Sequence, residues 1–392
     1  IAVFLMTKVW RLFPFNICKY ISPSLALIAD AGDHNINPPR LLGMIAEAGI
    51  IGSNDIGHYE LMIANYRFGN GHTINYVIFD KKLKKLIYFC KISRRKGDSA
   101  LEVESENLKK VSLALSEHTS KNTIPKLLFY GEVDGVNLQV SEYMDLDRIG
   151  FGISAGLRRI DYFLPRKLLF LSFLWKPVKI IGRIVWFRKV YREIYFSISW
   201  LATFQKQTKC NVFNFSSDVN VWLDKNLALI NQNNISVMSL DSKLQQFKSS
   251  LEKYDEDIYT CMQHGDFDLC NLLRERITKD LKIVDFEHLE LEELPFFDLG
   301  NLIFSPLLTE WRGSKEEISL KEYARKTGWS RNISKWLDYY CECSGISREI
   351  LSFIPGITVI EQNAKQYPEN RDPYDYPLYG DGPINEMLNW RI

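Results

Sequence analysis

The segment "MQHGDFDLCNLL" sets His264, Asp266 and Asn271 at the offsets H-x-D-x-x-x-x-N. Two of these residue types serve one chemistry, the transfer of a phosphoryl group from a nucleotide to a hydroxyl. A carboxylate orients the acceptor and takes its proton, and a carboxamide oxygen a few residues on helps to hold the metal ion that neutralises the phosphates. One rigid loop supplying both predicts Asp266 as the base and Asn271 as a metal ligand. Fourteen residues further, "LKIVDFE" ends an apolar run on Asp285, a hard oxygen donor of the kind Mg2+ takes. Upstream, Lys91 lies in "LIYFCKIS" and Glu106 in the helical stretch that follows, so that the two can pair while the ammonium reaches the α/β-phosphates. His264 reads as ordering the loop backbone. Glu102 and Glu104 read as solvated helix charges, Asp268 as a surface turn residue ahead of a contact to a cationic acceptor, and Glu287 as either a metal contact or a solvated acid.

These residues need elements to position them. Alternation in "YELMIANYRFGNGHTINYVIFDKKLKKLIYFCKIS" predicts consecutive antiparallel strands, turning at Gly69-Asn70-Gly71 and around Asp80-Lys81-Lys82. A short helical pattern, "PPRLLGMIAEAGII", precedes them. A helix follows over "SALEVESENLKKVSLALSEH", with Leu101, Leu108, Val111, Leu113 and Leu115 as an imperfect apolar face, and then a hairpin about Val133-Asp134-Gly135. From Tyr191 the spacing turns helical through Ile194, Ile198, Leu201 and Phe204, and again through Leu240, Leu244, Phe247 and Leu251. Short strands around "NLLRERI" and "LKIVDFE" interrupt the helices, and the tail from "PGITVIEQNAKQYPENRDPYDYPLYGDG" predicts loop. The expected class is α+β and two-lobed. Residues 1–50 form an apolar and basic lead-in, 51–142 a small antiparallel-sheet lobe that binds nucleotide, and 143–392 a larger, mainly helical lobe with the catalytic loop.

Composition bounds the alternatives. With 392 residues, 46% hydrophobic and 25% charged, the chain is neither disordered nor fibrous. A net charge of +1 gives no reason to expect nucleic acid as a partner. The seven cysteines contain no C-x-x-C pair, which argues against a zinc site or a disulfide framework and for a reducing cytoplasm. The opening segment is interrupted by Lys8, Arg11, Pro14 and Lys19 and reads as packing or interfacial, not as a spanning helix. Between about 157 and 192, basic residues from Arg158 to Arg192 interleave with Trp175, Trp186, Leu, Ile and Phe, and Asp161 is the single acid. That stretch is either an insertion packed on the helical lobe or a peripheral contact with anionic headgroups at the inner face of the membrane.

In this order, the motifs resemble those of the aminoglycoside phosphotransferase and choline-kinase-like family, relatives of protein kinases that phosphorylate small molecules. "HGDFDLCN" is similar to the family's H-G-D-x-x-x-x-N loop, with Gly265 where protein kinases usually carry Arg. "IVDFE" resembles its D-[FW]-E or D-x-G metal segment, and "LPFFDLGNLI" its P-x-x-D-L-[AG] run, which implies that Asp298 supports the catalytic loop. "LEVESENLKK" is similar to the helix bearing the Lys-pairing Glu, here Glu106, and "LQVSEYM" to the hinge strand whose backbone meets adenine, around Ser141, Glu142 and Tyr143. "FGNGHTINYVIF" carries Gly69, Gly71, Thr73 and Asn75 where the family often reads Gly-Gly-x-[ST]-Asn at the phosphates. "ISWLATFQKQT" resembles a helix of members found beside bacterial surface-polysaccharide genes. The resemblance spans Tyr66 to Ile303.

It implies a kinase-like fold, ATP or another nucleoside triphosphate with Mg2+ as cofactors, and transfer to a hydroxyl of a small molecule, sugar or glycan. An aminoglycoside acceptor would call for an acidic site, whereas the region before the loop is basic. The alternative, a catalytically inactive kinase-fold nucleotide-binding or membrane-surface scaffold protein, would show a broken catalytic set. Lys91, Asp266, Asn271 and Asp285 are all present.

Overall fold

A computed structural model describes residues 38–65, 73–93, 99–115, 122–133, 135–148, 172–232, 241–314, 318–365 and 386–392. The chain divides into two compact units.

The first unit comprises Ile1–Glu102 and Leu127–Tyr143. Helix α1 (Pro38–Glu47) begins with two prolines, tolerated there because the first N–H groups of a helix have no partner inside it. Strands β1 (Tyr59–Asn65), β2 (Thr73–Asp80) and β3 (Lys85–Ser93) follow. Helix α2 (Ala100–Ala114) starts in this unit and continues in the second. β4 (Leu127–Val133) and β5 (Val136–Glu142) complete an antiparallel sheet of order β1-β2-β3-β5-β4. The period of two in the sequence puts Tyr76, Ile78, Cys90, Ile92, Leu138 and Val140 in one core with Leu41, Leu42, Met44 and Ile45 of α1. The β2–β3 turn forms at the expected place because Asp80 Oδ1 accepts the Lys82 and Leu83 amides at 2.8 and 2.9 Å. Gly135 takes φ +77° between β4 and β5. The expected turn at Gly69-Asn70-Gly71 lies outside the described residues, as does the lead-in before Pro38.

The second unit comprises Val103–Lys126 and Met144–Ile392. It contains β6 (Leu146–Arg148), α3 (Ser172–Gln207), β7 (Val212–Asn214), α4 (Phe215–Gln232), α5 (Asp241–Leu251) and β8 (Asp257–Tyr259). Four short strands follow, β9 (Cys261–Gln263), β10 (Leu272–Glu275), β11 (Leu281–Ile283) and β12 (Glu290–Glu293). The chain then runs through α6 (Phe297–Ser314), α7 (Leu320–Thr327), α8 (Trp329–Ser344), α9 (Arg348–Leu351) and α10 (Ile354–Ala364). The predicted α+β class, an antiparallel-sheet part and a mainly helical part, is the one observed. α3 buries Val190, Ile194, Ile198, Leu201 and Phe204. It meets α8 through aromatic pairs, with ring centroids 5.1 Å apart for Phe187–Trp329 and 5.4 Å for Tyr191–Trp336.

Two expectations change. The helix expected from Tyr191 begins at Ser172, inside the basic and aromatic stretch, because mixed basic and apolar residues can sustain a helix without a one-sided apolar stripe. Residues 157–171 of that stretch lie outside the described residues. The tail expected to be loop opens instead with α10, where Pro355 occupies the first turn and Ile354, Ile357, Val359 and Ile360 are buried.

α10 also buries Glu361, whose Oε1 accepts from Trp222 Nε1 at 3.4 Å. Burial pushes its carboxyl from 4.5 up to about 8. Between those values the unfolded chain has released a proton that the folded chain keeps, so stability falls as pH rises through this window and the loss is complete near 8. Glu361→Gln, which has no proton to lose, is expected to gain in Tm relative to wild type from pH 5 to pH 8. Thermal melts across that range check this, and a Tm difference independent of pH would contradict it.

Candidate active site

The loop bearing Asp266 and Asn271 runs from β9 to β10. β9 is fixed by pairing with β12, Gln263 opposite Glu290. β10 and β11 form a hairpin in which Leu272 faces Ile283, and the Val284 amide extends the ladder by donating to Asn271 O at 3.1 Å. Asn271 and Asp285, far apart in sequence, therefore stand at the same end of one hairpin. Leu281, Lys282 and Ile283 are all buried, which seats the hairpin in the unit.

Asp298, at the start of α6 and fully buried, receives the loop. Its two carboxylate oxygens accept the His264 amide at 2.5 Å and the Gly265 amide at 3.0 Å. Its own amide donates to Gln263 Oε1 at 3.2 Å. The same Oε1 accepts from Gln205 Nε2 of α3, and the Tyr340 hydroxyl of α8 donates to Gln205 Oε1 at 2.5 Å. A buried polar chain thus runs from α8 through α3 to the back of the loop, with each member bonded, as burial requires. Burial raises the Asp298 carboxyl to about 7, against the opposing pull of the two amides and of Lys365.

Gly265 has φ +83°, and a Cβ there would overlap the carbonyl oxygen of His288. Both facts demand glycine. His264 is fully buried, and burial lowers its pKa to about 4, so it is neutral near pH 7. Its tautomer follows from its partners: Nε2 lies 3.0 Å from Val284 O, which can only accept, and Nδ1 accepts the Asp266 amide at 3.3 Å. The ring thus ties the loop to the segment before Asp285, an ordering role.

Asn271 Nδ2 donates to Asp266 O at 2.8 Å and to Asp266 Oδ2 at 3.0 Å. Because both partners accept, the amide nitrogen must face them, and its oxygen is the atom left to meet a metal. Asp268 is built into the loop: Oδ1 accepts the amides of Cys270 at 2.7 Å and Asn271 at 3.3 Å. Burial, and then the neighbouring Asp266 charge, raises its carboxyl to about 7. Asp285 takes φ 73° and ψ 61°, a left-handed conformation that costs a non-glycine residue about 1–2 kcal/mol. The next residue, Phe286, is buried with its ring centroid 4.6 Å from that of His264, and its carbonyl accepts from Asn107 Nδ2 of α2 at 2.9 Å.

In the first unit, Lys91 sits in mid-β3 between Asn75 of β2 and Gln139 of β5. These three form a polar row on the sheet face opposite the α1 core. Thr73 opens β2, and its Oγ1 donates to Asn75 Oδ1 at 3.4 Å. Glu142 ends β5 and is exposed, while the Tyr143 amide donates to Ile87 O at 2.9 Å. Gly69 and Gly71 lie outside the described residues.

Glu106 is exposed on α2, whereas Glu104, read above as solvated, is buried. The reason is spacing: Leu101, Glu104, Leu108, Val111 and Leu115 recur every three or four residues, and all five are buried. That stripe was a readable signal for Glu104. Asn107 and the Gln205–Gln263 pair had none, since their partners are distant in sequence.

An Asn oxygen and a carboxylate are the hard donors Mg2+ takes, with phosphate oxygens and waters filling its octahedron. The residue types at 271 and 285 fit that ion. Among the described residues, no group of three His, Cys, Asp or Glu side chains forms an independent metal cage. Gly265→Ala is expected to disrupt the loop by backbone strain and by overlap with His288, lowering Tm and exposing the amides of 264–271 to hydrogen exchange. Wild-type exchange at those amides would contradict the geometry.

No protein-family model and no curated protein matches the chain. Its structure is similar to an ethanolamine kinase of Plasmodium vivax, at 14% identity and TM-score 0.37, covering 89% of this chain and 91% of that one. It is similar to a glucosamine kinase at 10% identity and TM-score 0.43, covering 83% and 80%. With TM-scores below 0.5, function has to be argued from this chain's own residues. A spectinomycin phosphotransferase, determined with ADP and spectinomycin, is similar at 12% identity and TM-score 0.44, covering 91% of this chain and 98% of that one.

Proposed function

We propose that this chain is an ATP-dependent phosphotransferase that moves the γ-phosphoryl group to a hydroxyl of a small molecule, sugar or glycan. The observation that carries the reading is the placement of Asp266, Asn271 and Asp285 at one end of the β10–β11 hairpin, on a loop gripped from behind by Asp298. In this reading Asp266 orients the acceptor hydroxyl and takes its proton as the bond to phosphorus forms. The Asn271 carboxamide keeps that carboxylate in place through Nδ2 and presents its oxygen, with Asp285, to Mg2+. The ion would neutralise charge developing on the phosphates. Lys91 positions the phosphates, together with Thr73 and the glycines Gly69 and Gly71. Glu142 and Tyr143 meet the adenine through their backbone. Glu106 is the acid proposed to work with Lys91; within the second unit it is exposed, whereas Glu104 is buried.

The proposal extends to a cytoplasmic location, where reduced cysteines and Mg2+-nucleotide coexist. It includes contact of the stretch 157–192 with anionic headgroups through its basic and aromatic residues before Phe187, since Phe187, Val190 and Tyr191 pack within the second unit. No helix among the described residues is long and apolar enough to cross a membrane.

The test is Mg2+-dependent nucleotide turnover by wild type, Asp266→Ala and Asp285→Ala over a panel of sugars, amino alcohols and aminoglycosides. Asp266→Ala is expected to lose about 10²–10⁴-fold in kcat with nucleotide affinity retained. Asp285→Ala is expected to lose the Mg2+ dependence of nucleotide binding itself. Nucleotide binding with no turnover on any acceptor would favour the inactive, binding-protein alternative.

A further inference from the structure

Behind Asp298, α10 presents a polar stripe to the start of α6. Thr358, Glu361 and Lys365 recur at i, i+3 and i+7, the spacing of one helix face. The two helices approach so closely that a Cβ at Gly300 of α6 would overlap Thr358 Oγ1. One turn on, Gln362 Nε2 donates to Asn301 Oδ1. Lys365 closes the stripe at the end of α10, its backbone amide bonded to Glu361 O at 2.9 Å. Its ammonium is buried and has no hydrogen-bond acceptor among the described residues, and it lies 4.1 Å from the ring centroid of Phe297, the residue before Asp298.

Burying an ammonium without a hydrogen bond is unfavourable, so the compensation must come through space. Two sources are present: the face of the Phe297 ring, and the buried carboxyls of Asp298 and Glu361, whose charged forms Lys365 favours. For Asp298 that help matters chemically. Both of its oxygens face N–H donors, and a proton on either would meet a donor head-on and cancel one of the two bonds to the loop. Burial and the Asp266 charge push toward that proton, while the His264 and Gly265 amides and Lys365 oppose it. The carboxyl of Glu361 and the hydroxyl of Tyr340 also lie within electrostatic reach of Asp298.

We propose that Lys365 is a positioning residue for the phosphotransfer site. By its charge, it keeps Asp298 in the form that grips both loop amides, and so holds Asp266 and Asn271 in register. The catalytic meaning of this role rests on the function proposed above; the ordering of the loop does not.

The experiment compares wild type, Lys365→Met, which keeps the stem and removes the charge, and Lys365→Arg, which restores it. Hydrogen exchange of the full chain is followed by mass spectrometry over residues 263–271, with residues 193–205 of α3 as an internal reference. Lys365→Met is expected to exchange about tenfold faster at 263–271 and unchanged at 193–205, with Lys365→Arg close to wild type. In parallel, Mg2+-nucleotide turnover by Lys365→Met is expected to fall in kcat with KM for nucleotide unchanged. Unaltered exchange at 263–271 in folded Lys365→Met, or acceleration spread evenly over the unit, would overturn the proposal. A wild-type chain without turnover on any acceptor would instead count against the phosphotransferase reading, and exchange alone would then decide the role of Lys365.

Discussion

A single buried carboxylate receiving two consecutive backbone amides organises the second unit. Asp298 cannot be placed there cheaply, because removing a charge from water costs several kcal/mol before any partner is found. The charge-assisted bonds from His264 and Gly265 offset this cost, since hydrogen bonds to an ionised acceptor are shorter and stronger than neutral ones. The arrangement fixes the loop at the residues just before Asp266, where an angular error would be carried into the position of the carboxylate. Everything behind Asp298 serves the same end. Gln263, Gln205 and Tyr340 bond in series from β9 to α8, so that the helices packed around α3 and the loop share one polar scaffold.

What the sequence made legible was local. The H-x-D-x-x-x-x-N spacing is a property of one loop, and strand alternation from Tyr59 to Ser93 belongs to neighbouring residues. Both therefore survive without knowledge of the packing. The differences from the sequence reading have separate causes. The Pro, Asn, Asp and Tyr of the tail point to loop, yet Pro355 falls in the first turn of α10 and the apolar residues behind it are buried. The charge of Glu104 points to solvent, but its position in register with Leu101, Leu108, Val111 and Leu115 places it on the buried face. The Asn107–Phe286 bond joins residues separated by 179 positions, and no local pattern announces it.

A local backbone rule is broken at Asp285, where the chemistry is proposed to occur, as it is at Lys84 and Lys279 in the turns between paired strands. Asp285 is one of three non-glycine residues with positive φ among the described residues. It is followed at once by a buried Phe286 that His264 and Asn107 both contact. The packing thus over-determines a backbone that would relax if left alone, which is how strain persists at functional sites. His264 belongs to the same logic. Burial keeps its ring neutral, and a neutral ring offers one donor and one acceptor, which the carbonyl of Val284 and the amide of Asp266 require in that order.

The choice of asparagine at 271 follows from the charges already in the loop. Burial, and then the neighbouring Asp266 charge, raises the Asp268 carboxyl to about 7. A third carboxylate at 271 would add to the repulsion and would remove the Nδ2 donor that holds Asp266 by both its backbone oxygen and Oδ2. A carboxamide supplies a hard oxygen without a charge and a donor where the base needs one. In the proposed reaction the negative charge for a divalent cation would then come from Asp285, at the end of the other strand of the hairpin. In the proposed reaction the division of labour across β10 and β11 would be electrostatic: the loop would keep its carboxylates for the acceptor and for its own folding, and the neighbouring strand end would carry the formal charge for the metal.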